Sequence, residues 1–90
     1  MKAWELLEEK GWCQYVYARN SAGIPVRPDN DSACSFCIVG AMEAARVGTA
    51  AFLKLGTHMR ESGMAPTAFW NDQPERTKAE VVALLKELDI

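Results

Sequence analysis

The sequence predicts an α+β fold: a single small domain over residues 1–90, with three to four helices packed around a short β-hairpin. Three observations carry that prediction. Apolar residues recur at helical spacing in four separate stretches. One stretch is β-prone and runs into a turn and a proline-bearing return. Ninety residues, 49% of them hydrophobic, leave room for one core and not for two.

The first helix is "KAWELLEEKGW", in which Ala3, Trp4 and Leu7 share a face. Gly11 is placed to stop it in the left-handed conformation, with Trp12 folding back on Leu7. "WCQYVYAR", rich in Tyr and Val, is expected to be a strand. Alternation puts Trp12, Gln14, Val16 and Ala18 on one face and Cys13, Tyr15, Tyr17 and Arg19 on the other. "NSAG" supplies a turn and "IPVRP" the return, an edge strand because Pro25 and Pro28 cannot donate to a ladder.

"RPDNDSA" reads as a polar loop with Asp31 or Ser32 capping a second helix, "ACSFCIVGAMEAARVG". There Cys34, Cys37, Ile38, Ala41 and Ala45 form a buried face. Gly40, Ala41, Ala44 and Ala45 make it thin, so another element should pack very close. Gly48 ends it. Thr49 can cap a third helix, "AAFLKLGTHMRES", with Phe52, Leu55 and Met59 inward and Gly63 as its stop. "MAPTAF" is a connector. The last helix, Lys78 to Leu88, carries the stripe Val81, Leu84, Leu85 and Leu88.

Thr77 and Glu80 form a capping box for that helix, each able to satisfy the other's free amide. Asn71 or Asp72 can cap a single turn carrying Pro74, and Asp72 and Arg76 are spaced to pair on it. Folding alone leaves Trp70, Asp72 and Arg76 without a full explanation.

The segments "GWCQ…YAR…G" (Gly11 to Gly23), "CIVGAMEAA" (Cys37 to Ala45) and "WNDQPERTKAEV" (Trp70 to Val81) occur in this order. In them the chain resembles an uncharacterised family of small bacterial and mobile-element proteins, a domain of unknown function. Tyr15 departs from the small residue that pattern has after the Gln. The resemblance implies no reaction, cofactor or substrate.

Charge and composition exclude several classes. A net charge of −2, with the ten Lys and Arg scattered, gives no basic stripe for nucleic acid. No apolar run reaches the roughly 20 residues that span a bilayer. Acidic residues come too early for a signal peptide, so a cytoplasmic location is expected. Three cysteines are not a disulfide framework, and they are expected to be reduced.

Cys34 and Cys37 have C-x-x-C spacing but lack the strand that leads into a redox motif. Cys13, Cys34, Cys37 and His58 together could make a zinc or small-ligand site, although no second paired-ligand motif accompanies them. This is the alternative reading. No phosphate loop, dinucleotide fingerprint, carboxylate pair or nucleophile elbow is present, so neither an enzyme nor a cofactor is expected. The leading expectation is a protein-binding or self-associating accessory module of a mobile element. Its contact residues are Tyr15, Tyr17, Arg19, Trp70, Asp72 and Arg76, because tyrosine, tryptophan and arginine dominate binding hot spots. The partner is a protein, and a homodimer joined through the open hairpin edge is one form of it.

Overall fold

A computed structural model describes residues 1–90. It contains α1 (Ala3–Glu9), β1 (Ala18–Arg19), β2 (Pro25–Val26), β3 (Ser35–Phe36), α2 (Ile38–Ala44), α3 (Thr49–Glu61), α4 (Thr67–Asn71) and α5 (Lys78–Glu87). The α+β class is as expected, with five helices in place of three to four. The hairpin is extended to a three-stranded antiparallel sheet of order β2-β1-β3.

One cluster of 18 buried residues forms the core. α1 contributes Ala3, Leu6 and Leu7, while α5 contributes Val81, Val82, Leu84 and Leu85. These two helices pack on each other and α1 also lies on α2. Lys86 bridges the outer seam, 3.3 Å from Glu8 and 4.6 Å from the Trp4 ring centroid. The Ala3 amide donates to the Ile90 carbonyl at 2.7 Å, so the two ends of the described chain meet.

α5 starts as its sequence dictates. The Glu80 amide donates to the Thr77 hydroxyl at 3.3 Å, and the Thr77 amide donates to the Glu80 carboxylate at 3.0 Å. That bond to the Thr77 amide holds the Glu80 carboxyl below its ordinary range.

Other boundaries differ from expectation. Gly11 is not left-handed and makes no Schellman ending. A Cβ there would lie 3.2 Å from the Cys34 carbonyl, because this segment runs beside β3. The Phe36 amide donates to the Gly11 carbonyl and the Cys13 amide to the Phe36 carbonyl, both at 3.0 Å. The second helix begins four residues later than Cys34. Ser35 and Phe36 instead pair with β1, and Cys37 is the N-cap, its sulfur accepting from the Gly40 amide at 3.3 Å. Neither Asp31 nor Ser32 caps it. Arg46, at φ 56°, turns the chain out of α2 before Gly48, which is itself the N-cap of α3. Thr49 is the first helical residue of α3 and caps nothing, while "MAPTAF" holds the start of α4.

The thinness of α2 has the expected cause. A Cβ on Gly40 would lie 1.9 Å from the Tyr17 carbonyl oxygen, so α2 and the chain entering β1 touch backbone to backbone. β1 is also the central strand, with β2 on one side and β3 on the other. Strand addition at β1 is therefore blocked: β3 already holds the edge that the sequence leaves open.

Candidate functional site

The three motif segments converge on one buried side chain, Asn71, which is 1% exposed. Its Oδ1 accepts from the Trp12 indole at 2.8 Å and from the Ile38 amide at 3.0 Å. Its Nδ2 donates to the Cys13 carbonyl at 3.3 Å and to Asp72 Oδ1 at 2.9 Å. All four hydrogen-bonding positions of the amide are filled, as burial of such a group requires. Gln14 adds a second strap, donating to the carbonyls of Asn71 at 3.1 Å and Gln73 at 2.9 Å. The amide clamp thus ties the loop after α1, the start of α2 and the end of α4 into one unit.

Tyr15 rides on this clamp. Its backbone sits at φ 74°, in the left-handed region that costs a bulky residue about 1–2 kcal/mol. The Tyr15 amide donates to Asp72 Oδ1 at 2.9 Å, which anchors that conformation. The left-handed residue also breaks the expected strand alternation. Cys13 is buried, whereas Tyr15 and Tyr17 stand 67% and 58% exposed. Between them and α2 lies a cleft of about 260 Å³, lined by residues 15–17, residues 37–39, and Ala68, Asn71 and Asp72. The lining is mostly apolar, and Asp72 is its one carboxylate.

The remaining expected contact residues lie elsewhere. Arg19 directs its guanidinium to its own loop, donating to the Gly23 carbonyl at 3.0 Å and the Gln14 carbonyl at 3.2 Å. Trp70 is buried in the core. Arg76 lies 4.0 Å above its ring centroid and donates to the Trp70 carbonyl, to Gln73 and to Glu80. The expected Asp72–Arg76 pair does not form; Arg76 pairs with Glu80 at 2.9 Å. Of the six residues, Tyr15, Tyr17 and Asp72 come together at the cleft. Arg19, Trp70 and Arg76 brace the structure around it.

Asn71 and Gln14 were not among the expected site residues. Their one signal is their position beside Trp70-Asp72 and Trp12, and an amide at such a place reads equally well as a cap.

The zinc set does not assemble. No three His, Cys, Asp or Glu side chains come within reach of a common ion. Cys13 and Cys37 are buried, Cys34 is half-buried and outside the helix, and His58 on α3 lies 3.6 Å from Glu87. Burial pushes both the Cys13 and Cys37 thiols up, and the negative charge of Asp72 adds to that effect. Such thiols stay protonated at neutral pH and are weak nucleophiles and ligands. No helix is long and apolar enough to cross a membrane.

A model for a family of unknown function, DUF6197, matches residues 1–88, and the chain belongs to that family. Curated proteins and solved structures yield no match.

Proposed function

We propose that this member of the family is a non-enzymatic protein-binding module whose contact surface is the rim of the Tyr15–Tyr17 cleft. One observation carries the reading. Two large aromatic side chains stand in solvent beside an apolar cleft, and a hydrogen-bonded clamp holds one of them, Tyr15, at a backbone conformation that costs energy. Folding by itself favours the opposite arrangement, with aromatic area buried and Tyr15 in an ordinary conformation. Rigid tyrosines beside an apolar pocket are what a protein contact uses, because few rotamers are lost on binding.

Three unpaired cysteines suit a reducing, cytoplasmic setting. An accessory role in a mobile element accords with the motif resemblance. A second copy of the chain is one such partner; with β1 enclosed, it would be joined through side chains at the cleft. Sedimentation at micromolar concentration separates self-association from capture of a different protein.

The test is a Tyr15→Ala/Tyr17→Ala double variant. Both side chains are exposed, so the melting temperature should hold while self-association or capture of a specific partner is lost. Undiminished contacts in the double variant would refute the reading.

A further inference from the structure

We infer that the cleft takes a basic side chain, arginine or lysine, from a protein partner, with its cationic head at Asp72 and its aliphatic stem along the apolar lining. This deepens the protein-binding reading above and rests on it.

Asp72 is the one carboxylate in the cleft, and no lysine or arginine lines it. None of the ion pairs of the chain includes Asp72. Its Oδ1 is fixed by the amide of Tyr15 and by Asn71 Nδ2, which holds the carboxylate in place and leaves Oδ2 without a partner in the chain. The cations nearest in sequence to Tyr15 and Asp72 are both occupied, Arg19 by two backbone carbonyls and Arg76 by the Trp70 carbonyl, Gln73 and Glu80. A fixed, half-buried carboxylate in apolar surroundings attracts a cation more strongly than one on open surface.

The same cleft offers little to an anion. The start of α2 borders it, but two of its free amides are already bound. Ile38 N–H goes to Asn71, and Gly40 N–H goes to the Cys37 sulfur. The cysteine thiol is protonated and carries no charge of its own.

Shape completes the match. Val16 and Val39 give the lining an apolar surface of the kind a (CH₂)n stem covers. Tyr15 and Tyr17 present exposed rings at the rim, which can face a guanidinium or ammonium group.

The test is a titration of the 15N-labelled protein to millimolar concentration with acetyl-Ala-Ala-Arg-Ala-Ala-amide, its lysine counterpart and its glutamine counterpart. The two cationic peptides should shift the amides of Tyr15, Tyr17 and Val39 saturably and less so at high salt. The glutamine peptide should bind at least about tenfold more weakly, and Asp72→Asn should weaken the cationic peptides by a similar factor. That variant keeps an oxygen to accept from Tyr15 and Asn71, so unchanged shifts elsewhere verify the fold. Equal binding of the glutamine peptide, or full binding by Asp72→Asn, would overturn the cation assignment and leave the cleft standing as an apolar contact surface. Absence of any shift at the cleft with all three peptides would also overturn it. The tyrosine double variant then decides separately whether the surface binds protein at all.

Discussion

Asn71→Ala should be among the most damaging single changes in the chain. Truncation removes the partners of the Trp12 indole N–H, the Ile38 amide and the Cys13 carbonyl together. An orphaned buried polar group costs about 1–3 kcal/mol. Trp12 is half-buried and can find water, so its share is small, whereas the Ile38 amide is buried and has no second acceptor. The sum is about 3–4 kcal/mol. A 90-residue domain has a total stability of roughly 5–13 kcal/mol. The variant should therefore melt on the order of 15–30 °C lower. Urea unfolding followed by tryptophan fluorescence measures this directly, with an unchanged m-value showing that the same surface unfolds. Asn71→Asp adds a control with a sign. Burial beside Asp72 raises the new carboxyl above its unfolded value, so its protonated form is the one that fits, with its O–H able to replace Nδ2 toward Cys13. The deficit of Asn71→Asp should thus shrink as pH falls into the carboxyl range and grow as pH rises through the folded pKa. A loss under about 1 kcal/mol for Asn71→Ala, or a pH-independent deficit for Asn71→Asp, would refute the clamp.

Gly40→Ala should destabilise by about 2–3 kcal/mol in the same assay. The new Cβ would meet the Tyr17 carbonyl at 1.9 Å, and overpacking outweighs the roughly 1 kcal/mol gained in helix propensity. Thr77→Ala should cost about 1 kcal/mol with no effect on partner contacts. The Glu80 carboxyl is held low by the Thr77 amide, so that part of the box's contribution is present above the unfolded carboxyl pKa and is lost as pH falls through the folded one. Iodoacetamide at neutral pH should label half-buried Cys34 first, and Cys13 and Cys37 only when the protein unfolds; mass spectrometry of the native protein reads the order.

The helices written by local rules were visible in the sequence. α5 follows from its stripe and its Thr77–Glu80 box, α1 from its Ala3–Leu7 face, and the end of α3 from Gly63, which is left-handed at φ 69°. The thinness of α2 at Gly40 was visible too. Tertiary contacts decided what was not. Cys34 and Cys37 fit a helical face by spacing, but Ser35 and Phe36 pair with β1, and a two-residue strand has no periodicity to detect. Gly11 sits before an aromatic residue as a helix stop would, yet its lack of a side chain serves close approach to β3. For the site, Tyr15, Tyr17 and Asp72 could be singled out as aromatic or charged residues that capping and core spacing do not fully explain. Asn71 could not, because a capping amide and a buried bridging amide are the same residue type and differ only in what folds over them. Trp70 and Arg76 looked equally free for the converse reason: their stacking on each other depends on the turn at Gln73 to Arg76, where the Arg76 amide donates to the Gln73 carbonyl at 2.9 Å.

The most direct test of the cleft as the contact surface is a hydrogen–deuterium exchange footprint of the domain, free and bound to a captured partner or to itself at high concentration. Binding should slow exchange in residues 15–17, 37–39 and 68–72 and leave the outer face of α1 and α5 unchanged. Protection confined to α1 and α5, with the cleft segments exchanging as in the free protein, would contradict the account.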